Sequence, residues 1–592
     1  MTPAPPNPSR RDPRSVARAR LHAVALALAV LAGTGARVAT ADWGLPFSFH
    51  VDERGFVVHE ALATEWRGLR HGDWTPRINT YGSAVIFGVI GVHLATQGGL
   101  DRARAVARRA PNEHVFIGEF GFQPDDDAPY SMPALLHALR LLAALTGGLA
   151  ILFVGLAAGR LAGASAGVAA GWLTAFTVGL LQVGHFYTAE ALMLLPQAVF
   201  LWACTHLGRR RAWAWIGVAG VALGVAAAVK MPALAIAAAL PACLLPSVSR
   251  LRPRHVLGVL RTPALWLVPL VALATYRAAN PFPFEHPEIY FEGVAGNRDG
   301  ATVLAEQYVP RTFGFLDWRA PWTGTRSYLY TLTRVLPIGA GWAWILALGG
   351  ALAVGWRLRR PTDRLVWLAV VPTFALVGGW AVQTVRYGLP AYLPATVGIA
   401  ALVTRSRRRW ARGLAVAAIL LTVVQGAAFA GIFTRPDPRV QAAEWLAARG
   451  SRGDTVALEY EAAYSAPLNT RGSGLGWRED LQTPARVVRL WGAPSTATLE
   501  GALDALEGAD FLVTSEWYER RAAATAGHEA QAELYARLAA GALPFREVAH
   551  FDPAPALGPL RWPEAGMDPM SVCFDHCAVR IWQRSEPSPG PR

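Results

Sequence analysis

The feature that most constrains this chain is the recurrence of long apolar runs between Leu21 and Phe433, separated by short arginine-rich tracts. The runs cover residues 21–41, 132–159, 163–184, 190–207, 212–230, 232–249, 262–279, 328–356, 364–383, 387–404 and 412–433. At about 1.5 Å of rise per residue, each can cross a hydrocarbon core of about 30 Å as a helix. Only 17% of residues are charged, against about a quarter in soluble domains. There are 22 tryptophans, a residue that collects at membrane interfaces. A polytopic α-helical membrane protein of about eleven spans is expected over 1–434. After Phe433 the composition becomes that of a soluble domain, expected over 435–592.

The net charge of +14 and pI near 10.1 could indicate a nucleic-acid binder, but the distribution argues against it. The arginines sit between apolar runs, in "RRDPRSVARAR", "GRRRAW", "SRLRPRHVLGVLR", "WRLRRPTDR" and "RSRRRWAR". Loops of this kind stay cytoplasmic because positive charge resists translocation. No groove-reading motif accompanies them. If the additional run 81–98 does not span, the N-terminus and these loops share one side. With the loop near Arg160 they then hold 22 arginines against two acids, Asp12 and Asp363. If it spans, most of those arginines move outside. The expected topology therefore has a cytoplasmic N-terminus and a single external loop, 42–131. Within that loop 81–98 is amphipathic or re-entrant, and the C-terminal domain is external. "GARVATADW" also offers a small-residue cleavage site at Ala39–Ala41, but Arg37 beside it favours an uncleaved first helix.

Cys204 and Cys243 fall in apolar runs and read as small buried residues. Cys573 and Cys577, in "SVCFDHCAV", have no second pair to complete a metal site, so a disulfide is expected if the domain lies outside the cytoplasm. Within that domain "DTVALEY", "ADFLVTSEWY", "REVAHFD" and "CAVRIWQR" read as strands. "PRVQAAEWLAARG" and "GHEAQAELYARLAAG" read as helices, giving an α/β domain with an accessory role.

Charged residues recur at one face of the bilayer. Asp52 and Glu53, in "FSFHVDERGFVVHE", follow the first run with His50 beside them. Glu190 opens the fourth span, five residues after His185. Lys230 interrupts "GVAAAVKMPALAIA", and Arg386 and Tyr387 mark the outer end of two spans. Each alone has a plain structural reading: a solvated loop pair, a helix N-terminal acid, or a lysine that snorkels. Together on one face they suit a lipid phosphate held by cations and a hydroxyl deprotonated by a carboxylate. The run Asp125–Asp127 reads as a solvated loop.

With these motifs in order, the chain resembles the GT-C membrane glycosyltransferases. The likeness is to the family 39-like group of protein O-mannosyltransferases and lipid A aminoarabinose transferases. The acidic pair of the first external loop is Asp52–Glu53, and "TYGSAVIFGV" stands where the family has a "YP"-type entry, with Gly82 in place of proline. "RLLAALTGGLAILFVGLAAGRLAGASAG" resembles the second and third spans. "QVGHFYTAEALMLL", "AVKMPAL", "NPFPFEHPEIYFEG" and "VRYGLPAYLP" resemble four further motifs, with Glu190 where Asp is usual. "DPRVQAAEWLAARGSRGDTVALEYE" resembles the opening of the family's external domain.

The resemblance implies an enzyme that moves a hexosyl or pentosyl unit from a polyprenyl-phosphate carrier to an acceptor outside. The use of arginine rather than lysine, with abundant alanine, suggests a GC-rich bacterial genome and so a bacterial plasma membrane. The acceptor class, whether protein, lipid or polysaccharide, stays open. Asp52 is the implied base, with Glu53 and Glu190 as further catalytic candidates. His50, Tyr81, His185, Lys230, Arg386 and Tyr387 are the substrate-binding candidates, the two cations on the donor phosphate. Cofactors stay open: a divalent metal fits some relatives, but no dedicated cage of histidines and carboxylates is visible. The competing readings are a transporter or flippase of a lipid-linked sugar and a non-catalytic scaffold. A transporter usually shows repeats and midplane charges, neither of which the sequence displays.

Overall fold

The computed structural model describes the chain except residues 1–12, 51, 77–81, 120–131, 208–211, 248–251, 286, 288–321, 323–324, 381–382, 460–463, 471–475, 477, 492–497, 525–528, 563, 565 and 586–592. Tyr81 and Asp125–Asp127 lie outside the described residues, as does half of the 280–293 motif.

The membrane part is helical. Among the described residues, five helices are long and apolar enough to cross a bilayer: Val16–Val38, Pro133–Ala162, Ala212–Val229, Val385–Arg405 and Arg409–Ala430. Three bent pairs pass the same test together, and Ala164–Phe176, Ala189–Cys204 and Met231–Leu244 are shorter apolar helices. With little hydrophobic gain from helix contact inside lipid, small residues set how closely helices approach. Gly155 and Gly167 meet in this way: a methyl on Gly167 would lie 2.7 Å from the carbonyl oxygen of Gly155. The helix Val385–Arg405 is the most enclosed of the long ones and carries Arg386 in its first turn.

Two segments depart from straight helices. The run 328–356, expected as one span, is two helices, Tyr328–Gly339 and Trp342–Gly355, that meet at 117°. The cause is local: Gly341 has φ +83°, a conformation that side-chain-bearing residues rarely adopt. The run 81–98 forms the helix Ser83–Thr96, which turns by 102° into Gly99–Arg109 through two positive-φ glycines, Gly98 and Gly99. The second helix of that pair carries a charged face, with Asp101, Arg102, Arg104 and Arg108 exposed.

The C-terminal residues build a five-stranded sheet with order β2-β1-β3-β7-β4. Its strands are β1 (Thr455–Leu458), β2 (Arg486–Arg489), β3 (Phe511–Ser515), β4 (Phe545–Phe551) and β7 (Val579–Arg584). β1 pairs in parallel with β2 and β3, while β7 is antiparallel to β3 and β4. A hairpin, β5 (Ala556–Leu557) and β6 (Leu560–Arg561), stands apart from the sheet. All four expected strands form, but the third expected segment from the N-terminal side of the domain, 509–518, ends as strand at Ser515 and continues as the helix Glu516–Ala524. Helices Pro438–Ala447 and Glu529–Ala539 occupy the expected places. β2 is the strand that the sequence did not betray: it has four residues, only half-buried or exposed.

The expected disulfide is corrected. Cys573 and Cys577 are both free and buried. Each thiol is used locally, Cys573 donating to the carbonyl of Met570 at 3.4 Å and Cys577 to that of Ala578 at 3.8 Å.

Candidate active site

The site begins where the acidic pair enters a helix. Asp52 and Glu53 open a wide helical turn, Asp52–Val58, that runs into the helix His59–His71. The two carboxylates then take different partners. Glu53 is completely buried and bidentate to Arg140, with Oε1 to Nε at 2.9 Å and Oε2 to Nη2 at 2.8 Å. It also accepts the Tyr187 backbone N–H at 3.0 Å and the Ser48 hydroxyl at 3.3 Å. With every lone-pair direction used, Glu53 fastens the loop to the helix Met132–Ala162.

Asp52 instead pairs with Arg386. Beside it a second pair forms, Lys230 Nζ to Glu190 Oε1 at 2.5 Å. Local structure sets both. Glu190 lies in the first turn of Ala189–Cys204, and Lys230 follows the last residue of Ala212–Val229 in extended backbone with φ −161°. The Tyr387 ring lies between the cations, 5.6 Å from Lys230 Nζ and 5.9 Å from the Arg386 guanidinium. Glu190 Oε2 is buried with no hydrogen-bond partner among the described residues.

His50 joins the same cluster, stacked on Phe574 at 4.3 Å. Burial holds its pKa below the ordinary imidazole value against the opposing pull of Asp52. A neutral ring can accept as well as donate, and His50 Nδ1 has no partner among the described residues.

The structure thus brings together Asp52, Glu190, His50, Lys230, Arg386 and Tyr387, and it sets Glu53 behind them. His185 is held elsewhere: its Nε2 bonds the Thr40 hydroxyl at 3.0 Å and its ring stacks on Phe433 at 3.7 Å.

Residues that sequence reading passed over complete the walls. Arg140 is a charge inside an apolar run, a signal that was visible. Phe574, Ser571 and Gln182 carried none. The 569–577 segment covers the cluster: Phe574 lies 5.7 Å from the Arg386 guanidinium, and Gln182 donates to the Ser571 carbonyl at 2.6 Å and to Asp575 at 2.8 Å. The space left between His50, Gln182, Phe186, Thr384, Arg386 and Phe574 is about 30 Å³, room for one or two waters.

On the membrane side an apolar cavity of about 280 Å³ is lined by Leu336, Trp344, Leu348, Phe374 and Tyr392 and ends at Thr384 and Val385, next to Arg386. Among the described residues no group of three or more histidines, cysteines and carboxylates is gathered to hold a metal.

Residues 134–276 match the family described as dolichyl-phosphate-mannose-protein mannosyltransferase. The match is confined to this segment of the chain. It contains Arg140, His185, Glu190 and Lys230. Among solved structures, the oligosaccharyltransferase of Archaeoglobus fulgidus in the apo form is similar at 12% identity, over 95% of this chain and 88% of that one, with a TM-score of 0.41. ArnT from Cupriavidus metallidurans is similar in its apo state at 14% identity, over 95% and 98% of the two chains, with a TM-score of 0.41. The same protein bound to undecaprenyl phosphate gives 13% identity, 96% and 98% coverage, and a TM-score of 0.41. No curated protein matches the chain in sequence.

Proposed function

We propose that this protein transfers a glycosyl unit, a hexose or pentose, from a polyprenyl-phosphate carrier to an acceptor at the external face of a bacterial plasma membrane. One observation carries the reading: two carboxylate–cation pairs, Asp52–Arg386 and Glu190–Lys230, lie together, and Arg386 directly follows Thr384 and Val385, which line an apolar cavity. The matched family acts on a sugar linked to a prenyl phosphate.

The pairs suggest how binding and chemistry are linked. Arg386 and Lys230 suit a phosphate, and the prenyl chain would lie in the cavity that ends at Thr384. An incoming phosphate competes with Asp52 for the Arg386 guanidinium. Once released, Asp52 is free to take a proton from the acceptor hydroxyl as that oxygen attacks the anomeric carbon. The carrier phosphate leaves with the electrons of the broken glycosidic bond, its charge held by Arg386 and Lys230. Glu190 orients Lys230, and Glu53, fixed to Arg140, holds the turn that carries Asp52. The transport reading is less favoured, because the cluster is closed by a cover from the C-terminal residues rather than lining a path.

The test is sugar transfer by the purified protein from a pool of polyprenyl-phosphate sugars, with envelope extract as acceptor. Turnover that is lost in a folded Asp52→Asn supports the base assignment. Equal turnover in both removes Asp52 from the chemistry. Carrier-bound sugar that crosses a sealed vesicle without being hydrolysed or transferred favours the flippase.

A further inference from the structure

We infer a second lipid-binding site, a cleft between the membrane helices and the C-terminal sheet residues that takes a lipid with a carbohydrate headgroup. It does not depend on the Asp52–Arg386 cluster or on the reaction proposed there.

Two cavities form the cleft. The first, about 300 Å³, is lined mainly by apolar groups, among them Ile338, Trp342, Leu421, Phe429 and Met567. The second, about 460 Å³, is lined by charged groups, among them Glu516, Arg520, His550, Asp552 and Arg561. Trp562 and Glu564 line both, so the apolar half adjoins the polar half at these two side chains. A polar space of that size lies in the range of small-molecule sites, about 300–1,000 Å³.

The surroundings place the junction at an interface. Trp342 is 50% exposed and Leu421 is 52% exposed beside the apolar half, as expected of side chains facing lipid. The β5–β6 hairpin packs against the helix Arg409–Ala430 and presents Leu557 and Leu560, both largely exposed. Arg435 holds the chain leading into that hairpin, donating to the carbonyls of Pro553 and Ala554 at 3.3 and 3.2 Å.

The chemistry of the polar half selects the headgroup. Its arginines are largely committed: Arg520 pairs with Glu516, and Arg580 with Glu519 at 3.2 Å. An anionic phosphate would have to break these pairs. A hydroxyl, by contrast, both donates and accepts. The cavity offers acceptors on Asp552 and on the Glu564 oxygen not bonded to His576, and donors on Arg561 and His550, with the Trp562 ring as an apolar surface edged by a donor. Residues 567–576 separate this cleft from the active-site cluster. Met567 faces the cleft, Ser571 and Phe574 face the cluster, and the Gln182–Asp575 bond closes the wall.

The experiment uses the full chain in nanodiscs of phosphatidylcholine with a trace of photoactivatable diglucosyl diacylglycerol, and with photoactivatable phosphatidylglycerol as comparison. Label from the glycolipid is expected on peptides spanning 421–429 and 555–567. Arg561→Ala and Trp562→Ala should lower it about fivefold or more, and Asp52→Asn should leave it unchanged. Melting curves check the fold of each variant. If Trp562→Ala is destabilised, Arg561→Ala decides, since that side chain is exposed. Label spread evenly over all lipid-facing helices overturns the inference. So does equal labelling of the same peptides by phosphatidylglycerol, or a level unchanged in Arg561→Ala.

Discussion

At the scale of single residues, adjacency in sequence does not mean shared chemistry. Asp52 and Glu53 are neighbours, but one holds a cation at the centre of the cluster and the other is locked to Arg140. Their substitutions should therefore fail differently. Asp52→Asn keeps the shape and removes the proposed base, so transfer should fall by about 10²–10⁴-fold with little change in melting temperature. Arg140→Met leaves Glu53 charged and unpaired in a site where both side chains are at most 2% exposed. A loss of about 3–5 kcal/mol is expected, read as a lowered denaturation midpoint in detergent. If Arg140→Met unfolds like wild type, Glu53 is not the anchor that its hydrogen bonds indicate.

At the scale of elements, close backbone contacts decide where the cations point. Gly82 donates its N–H to the Val229 carbonyl at 3.1 Å, a bond that a proline at this position could not make. This accounts for glycine where the resemblance leads one to expect proline. A methyl on Gly82 would lie 1.8 Å from the carbonyl oxygen of Ala228. Gly82→Ala should push the helix Ser83–Thr96 off the end of Ala212–Val229 and shift Lys230. The expected result is a lower melting temperature together with weaker donor binding, measured as a raised KM. A raised KM without a lowered melting temperature would count against the steric account. The covering segment 569–577 is a second such element. Phe574→Ala removes the stack on His50 and should open the cluster, speeding hydrogen exchange of the backbone amides around Val385 and Arg386. Unchanged exchange there would show that the cover is held by other contacts.

At the scale of the whole molecule, buried ionisable groups tie the C-terminal sheet to pH. Burial raises the Glu459 pKa to about 8, although Ser515 and Tyr535 donate to the carboxylate at 2.6 Å. A carboxyl raised in the folded state binds its proton more tightly there than when unfolded. Its contribution is complete below the unfolded value of about 4.5 and is lost as pH rises towards about 8. His576 acts in the same direction. Burial opposes its charge, but Glu564 and Asp575 together outweigh burial and hold the imidazole protonated well above the usual range. Thermal stability should fall between about pH 5 and pH 8. Glu459→Gln, neutral throughout, should flatten that fall; a wild-type slope retained in the variant would remove Glu459 as its source.

Much of this protein was legible in the sequence because its signals are local. Apolar runs, arginine tracts and strand alternation each depend on a few neighbouring residues, so helices, sheet strands and the candidate charges could be read directly. Lys230, Glu190, Arg386 and Asp52 stood out because a charge at the edge of an apolar helix has few explanations. What the sequence could not state is which carboxylate meets which cation, since those partners are up to 334 positions apart. Nor could it show that "SVCFDHC", which reads as a disulfide or half of a metal site, folds over the cluster with its thiols apart. The break at Gly341 depends on a backbone angle and not on composition. By itself the sequence determined a helical membrane chain with an α/β tail and a set of out-of-place charges. The tertiary structure alone decided their pairing, their cover and the cleft at Trp562, because long-range contacts are chosen by the packing of the whole chain.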